Sequence, residues 1–148
     1  KELIYDLYWP DITSHNNWQS LYSKDLNEWI YKERMFRAAK AILETGYIAL
    51  LDSTFLKKQE REIFIELANT YKIPKLIINC TCKEATAYKR ILFRKFLTQD
   101  PSDANYSTRE SQKICYEKLS PQEELISIEY TESTSIYSLI NSIKNKLL

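Results

Sequence analysis

Apolar residues along this chain follow two rhythms, one helical and one short and unbroken, and the two alternate. From Ser23 the stretch "SKDLNEWIYKERMFRAAKAILETG" sets Leu26, Ile30, Phe36, Ala39 and Leu43 near one face. That spacing predicts a long amphipathic helix, capped by Ser23 and ended by Gly46. The run "YIALLD" follows at 47–52. Lying unbroken between a glycine and a serine, it predicts a strand buried on both faces, as in parallel sheets. Residues 57–72 carry Ile63, Phe64, Leu67, Ala68 and Tyr71 at helical spacing, with Pro74 closing the element, and "KLIINC" at 75–80 predicts a second buried strand. Thr81 and Glu84 have capping-box spacing and open a predicted helix that runs to about Leu97. A polar loop, "TQDPSDANYS", leads to a helix through Lys118, and "LISIEY" at 125–130 predicts a third strand. Ile136, Leu139, Ile140, Ile143 and Leu147 mark a final amphipathic helix. Ahead of all this, "KELIYDLYW" allows a turn or two of helix before Pro10, then a polar loop.

Short apolar strands separated by helices imply crossover connections. The predicted fold class is therefore α/β, a parallel sheet with helices on both faces in which 47–52, 75–80 and 125–130 are parallel members. A chain of 148 residues suits one domain, 1–148.

Composition changes this picture only in what it excludes. With 44% apolar and 13% aromatic residues the chain is no disordered tail, and a net charge of +1 removes the electrostatic argument for DNA or an anionic membrane. No apolar stretch approaches the roughly 20 residues needed to span a bilayer, and no signal peptide opens the sequence. Cys80, Cys82 and Cys115 are odd in number and lie in apolar or helical contexts, which suits a reducing compartment. A soluble cytoplasmic protein is the expectation. CxC with the solitary His15 makes a poor zinc site, so the cysteines are read as structural thiols. Gly46 is the one glycine, so these residues hold no glycine-rich phosphate loop, and Met35 is the one methionine, so translation is not expected to begin at Lys1.

Two constellations could carry chemistry. Asp52 ends the predicted strand at 47–52, and in parallel α/β sheets ligands sit beyond the carboxyl ends of strands. Followed by Ser53 and Thr54, it could hold magnesium or accept a proton from an attacking hydroxyl; it could equally cap the helix near residue 56. In "YKRILFRKF", Arg90 and Arg94 stand about 40° apart on a helix, with Ala85, Tyr88, Leu92 and Phe96 expected on the opposite, packed side. Such a pair suits clamping phosphates, or is a solvated basic face. Arg61, flanked by Glu60 and Glu62, reads from its neighbours as a surface ion pair.

The series "ILETGYIALLDSTFLKKQEREIFIELANTYKIPKLIINCTC", "RILFR" and "DPSDANYSTRESQ" resembles the P-loop kinase-like ATP-binding family typified by the AAA_33 domain. That family is related to polynucleotide and gluconate kinases, and to the ATP-binding half of proteins described as bifunctional aminoglycoside phosphotransferases. The resemblance runs from about Tyr22 to the C-terminus. It implies ATP and Mg2+ as cofactors, Asp52 as the carboxylate near the metal with Thr54 beside it, and Arg90 and Arg94 as lid arginines over the nucleotide phosphates. Arg61 matches an arginine implied to bind the cofactor, and Asp52 and Arg94 would be catalytic. Ser102 and Asp103 match a loop near the lid, where capping of the next helix is the simpler account. Family members begin with a strand and GxxxxGK[ST], so the chain is expected to be the C-terminal portion of such a domain, lacking roughly 40 residues of a first βαβ unit. In the related kinases the missing strand lies between those ending at Asp52 and Cys80. Its loss leaves two open edges that either pair with each other or belong to a longer protein. The expected function is ATP-dependent phosphoryl transfer to a small-molecule or nucleotide-like acceptor. The alternative is a truncated, inactive homologue or a module that binds a partner chain at the open sheet edges. Kinship with polynucleotide kinases also suggests a nucleic-acid 5′-end kinase, which the neutral net charge disfavours.

Overall fold

The computed structural model describes the backbone of residues 29–96 and 105–147. Ser23, Leu26, Ser102 and Asp103, with the predicted opening turn of helix, lie outside the described residues. The chain groups into two compact units that divide between Leu51 and Asp52.

In the first unit a π-helical turn, Ile30–Met35, runs into α1, Phe36–Glu44. Among the described residues of this unit Tyr31 and Ala39 are buried, while Ile30, Phe36 and Leu43 of the predicted face are half-buried. A π-helical turn holds more residues than an α-helical one, so it shifts the phase of the positions before α1. Gly46 ends the helix as expected: its φ is +80°, its N–H donates to the Leu43 carbonyl at 3.0 Å, and the Thr45 N–H donates to that of Ile42 at 3.1 Å.

The predicted strand at 47–52 does not form. These residues have no ladder partner among the described residues, and Tyr47, Ile48 and Leu50 are 74%, 91% and 84% exposed. An apolar run creates the preference for a strand, but only a neighbouring edge supplies the hydrogen bonds that make one.

The second unit is an α/β assembly around a small parallel sheet. Helix α2, Lys58–Thr70, leads through Tyr71 and Lys72 to β1, Ile77–Cys80. Helices α3, Glu84–Phe96, α4, Tyr106–Cys115, and α5, Pro121–Leu125, then bring the chain to β2, Ser127–Tyr130, which is followed by α6, Ile136–Leu147. β1 and β2 pair in parallel, Ile77 opposite Ser127 and Cys80 opposite Tyr130, as expected for two of the three predicted strands. Both strands are half-buried rather than buried on both faces, since the sheet among the described residues has two strands. Among the described residues, Leu67 and Ala68 of α2 and Ala87 and Ile91 of α3 are the buried apolar residues of this unit.

Local signals explain the boundaries. The Thr81 N–H donates to the Tyr130 carbonyl at 2.9 Å, extending the ladder, so Thr81 does not cap α3; the helix begins three residues later, behind Lys83. The helix predicted to run through Lys118 stops at Cys115, and Tyr116 is extended. Helix α5 was not anticipated, although "SPQE" spells its start: Ser120 and Glu123 form a capping box with Pro121 at the first helical position.

Candidate functional site

The turn after Asp52 is pinned from below by Arg61. This arginine of α2 and Glu123 of α5 are 5% and 3% exposed. Arg61 Nε donates to Glu123 Oε1 at 2.5 Å and Nη2 to Oε2 at 3.3 Å, while Nη1 reaches the Phe55 carbonyl at 3.0 Å and Nη2 the Lys118 carbonyl at 3.3 Å. Burial alone would raise the Glu123 pKa. The Arg61 guanidinium, with the Ser120 N–H and hydroxyl at 2.8 Å each, outweighs it and holds the carboxyl down at about 2. Phe55, whose carbonyl is held, has φ +45° and packs its ring edge-on against Phe64 at 5.6 Å. The Lys58 N–H and Lys57 Nζ both bind the Glu117 carboxylate, at 2.7 and 3.2 Å, and the Glu117 N–H donates to the Leu56 carbonyl at 2.8 Å.

Arg61 is therefore a buried clamp between segments, not a surface pair with Glu60 or Glu62. Its guanidinium is committed to protein partners, which argues against the nucleotide contact expected of it. Asp52 stands at the far end of the same turn. It is exposed and makes no hydrogen bond or ion pair among the described residues, so the buried strand end foreseen for it is corrected to an exposed position. Thr54 is exposed as well.

Arg90 and Arg94 are brought together. Both line an open groove of ≈ 760 Å³ between α3 and α4, with Lys89 on the same helix and Asn105, Arg109 and Gln112 across from them. The packed side of α3 differs from the expectation. Ala87 and Ile91 are buried and Arg94 is half-buried, whereas Ala85, Tyr88 and Leu92 are exposed. Ala87, Ile91 and Arg94 fall within about 60° of one another on the helix, so Arg94 enters the groove from the packed side. Tyr88 instead stacks edge-on against Tyr106 at 5.5 Å.

The two helices are held in register by Glu84, the first residue of α3. Its carboxylate accepts from Arg109 Nε at 3.3 Å and Nη2 at 3.0 Å and pairs with Lys113 Nζ at 2.7 Å, and Tyr106 Oη donates to it at 3.3 Å. The hydrogen bonds from Arg109 and then Lys113 hold the Glu84 pKa at about 2, and the same bonds push those of Arg109 and Lys113 up. Arg109 is thus a groove arginine matched by a carboxylate. Lys89 and Arg90 are not matched: neither makes an ion pair or hydrogen bond among the described residues. Sequence reasoning missed Lys89 and Arg109; the signal for Arg109 was its position one helix away in the same "DPSDANYSTRESQ" stretch. Cys82 lines the groove, and Cys80 and Cys115 are exposed free thiols, not packed ones.

The second unit is thus a parallel α/β frame carrying a groove lined by Lys89, Arg90, Arg94 and Arg109. Residues 10–119 match the model of the AAA_33 family, an AAA domain. The chain belongs to that family, whose members are P-loop kinase-like and bind nucleotides. No curated protein and no solved structure matches the chain. Among the described residues no helix is long and apolar enough to cross a membrane.

Proposed function

We propose that the protein is an ATP-dependent phosphotransferase that holds the nucleotide's phosphates in the α3–α4 groove and passes a phosphoryl group to a small-molecule or nucleotide-like acceptor. The observation carrying this reading is the pair of unmatched cations, Lys89 and Arg90, beside Arg94 in one groove. Cations without carboxylate partners retain their capacity for phosphate oxygens, and guanidinium groups bind them in pairs of parallel hydrogen bonds. Arg90 would orient the phosphates, and Arg94, fixed on the packed side of α3, would neutralise charge on the moving phosphoryl group.

Asp52 fits magnesium by its chemistry, as a hard, exposed carboxylate with no partner among the described residues. Magnesium held by Asp52 would supply positive charge to offset that of the phosphates. Thr54 stands beside it as a hydroxyl able to orient water. The Arg61 clamp anchors the far end of this turn through the Phe55 carbonyl.

The test is a titration of Mg·ATP into the full-length protein and its Arg90→Ala and Arg94→Ala variants, with Lys144→Ala as control. Losing one charged hydrogen-bonding group should weaken binding by about 10- to 100-fold. If both arginine variants bind like the parent, the groove is not the phosphate site.

A second reading draws on the exposed apolar stretch at 47–51, whose backbone has no ladder partner among the described residues. Such a stretch accepts a strand from another chain. Hydrogen exchange on full-length protein purified from cells checks it: amides of 47–51 exchanging at intrinsic rates would exclude a strand partner.

A further inference from the structure

Phe93 lines the cationic groove and is 64% exposed. On α3 it falls about 60° from Arg90 and about 40° from Lys89, between the two unmatched cations. It makes no ring contact with another aromatic among the described residues. Exposure alone does not mark a site, but an open aromatic ring inside a groove and between two unmatched cations joins a flat apolar face to positive charge, and that combination selects the ligand. A bare polyphosphate would use the cations and ignore the ring. A neutral aromatic would use the ring and leave the cations unanswered. A ligand with an anionic chain and a flat π-system answers both, and the groove's ≈ 760 Å³ lies within the range of small-molecule sites.

We propose that Phe93 is the stacking platform for the nucleobase of the bound nucleoside triphosphate, and so determines selection of a nucleotide over inorganic polyphosphate. This rests on the phosphate reading of the same groove. Stacking on an aromatic face is strong and tolerant of base identity, so Phe93 sets the preference for a base over none without choosing among bases.

The experiment compares Mg·ATP with magnesium tripolyphosphate, each titrated into the full-length protein and into its Phe93→Ala, Phe93→Leu, Phe93→Trp and Arg90→Ala variants. Phe93→Ala and Phe93→Leu should weaken ATP about tenfold while tripolyphosphate stays within about twofold, and Phe93→Trp should retain ATP affinity. Arg90→Ala should weaken both ligands alike. Unchanged ATP affinity in Phe93→Ala, with Arg90→Ala still weakening both, overturns the platform and leaves the phosphate reading standing. Equal loss of both ligands in Phe93→Ala also overturns it, since the ring would then only support the groove. If neither ligand responds to Arg90→Ala, or neither binds, both readings fall together.

Discussion

Replacing Glu123 with glutamine removes one charge from the buried clamp while preserving its shape. Arg61 would then keep its neutral acceptors, the carbonyls of Phe55 and Lys118, but its charge would be buried and uncompensated. Breaking a buried pair from one side costs about 3–5 kcal/mol. Linkage gives a consistent magnitude: a carboxyl held at about 2 instead of 4.5 corresponds to about 3 kcal/mol. Against a total stability of about 5–15 kcal/mol, urea denaturation at pH 7 should show a large fall in midpoint. The double variant Arg61→Met/Glu123→Leu should recover most of it, because an apolar pair leaves no stranded charge. The sign of the pH dependence follows from the lowered pKa. The contribution is complete above the unfolded value near 4.5 and fades as pH falls toward 2, so Glu123→Gln should flatten that part of the acid limb. A loss under about 1 kcal/mol, typical of an exposed pair, or a double variant no better than the single one, would refute the clamp.

Glu84 is also held at about 2, so its bonds to Arg109 and Lys113 should survive acidification until well below pH 4.5 and then fail toward pH 2. The chemical shifts of the Tyr106 ring, which reaches the same carboxylate, report this, and Glu84→Gln should abolish the transition. Gly46 has φ +80° and open space where a Cβ would stand, so Gly46→Ala should destabilise by about 1 kcal/mol through backbone strain alone; a melting temperature at or above the parent's would contradict it.

What was legible in the sequence was local. Gly46, the periodicity of α2 and the runs behind β1 and β2 each carry their signal within a few residues, and each stands in the structure; α6 forms where its periodicity placed it, but Ile136 and Ile140 of its expected apolar face are exposed. The 47–52 run misled because pairing needs a second edge, which no local pattern reports. Thr81 misled because a ladder bond to Tyr130, far along the chain, competes with its capping spacing. The phase of α3 was misjudged because tyrosine and leucine at exposed positions mimic a core stripe, while the alanine and isoleucine that are buried stand one turn apart among cations. The groove was half-visible, in Arg90 and Arg94. The Arg61–Glu123 clamp was invisible, because it joins residues 62 positions apart, even though the capping box that places Glu123 could be read directly.

That clamp also divides the chain by its tolerance to change. Arg61 and Glu123, the Leu56–Glu117 bond and the β1–β2 ladder tie together the two ends of a long excursion, and α3 and α4 lie wholly within it. Closing a longer loop between fixed ends adds only about 0.6 kcal/mol per doubling of length. Lengthening the connections inside the excursion therefore burdens the frame little, whereas a single residue added between Phe55 and Arg61, or between Glu117 and Glu123, would throw the anchors out of register. Of the residues lining the groove, Lys89, Arg90 and Phe93 are exposed and can be exchanged without disturbing the frame, whereas Ala87 and Ile91 are buried in it, so the groove can change its charge and its apolar rim while its floor stays fixed.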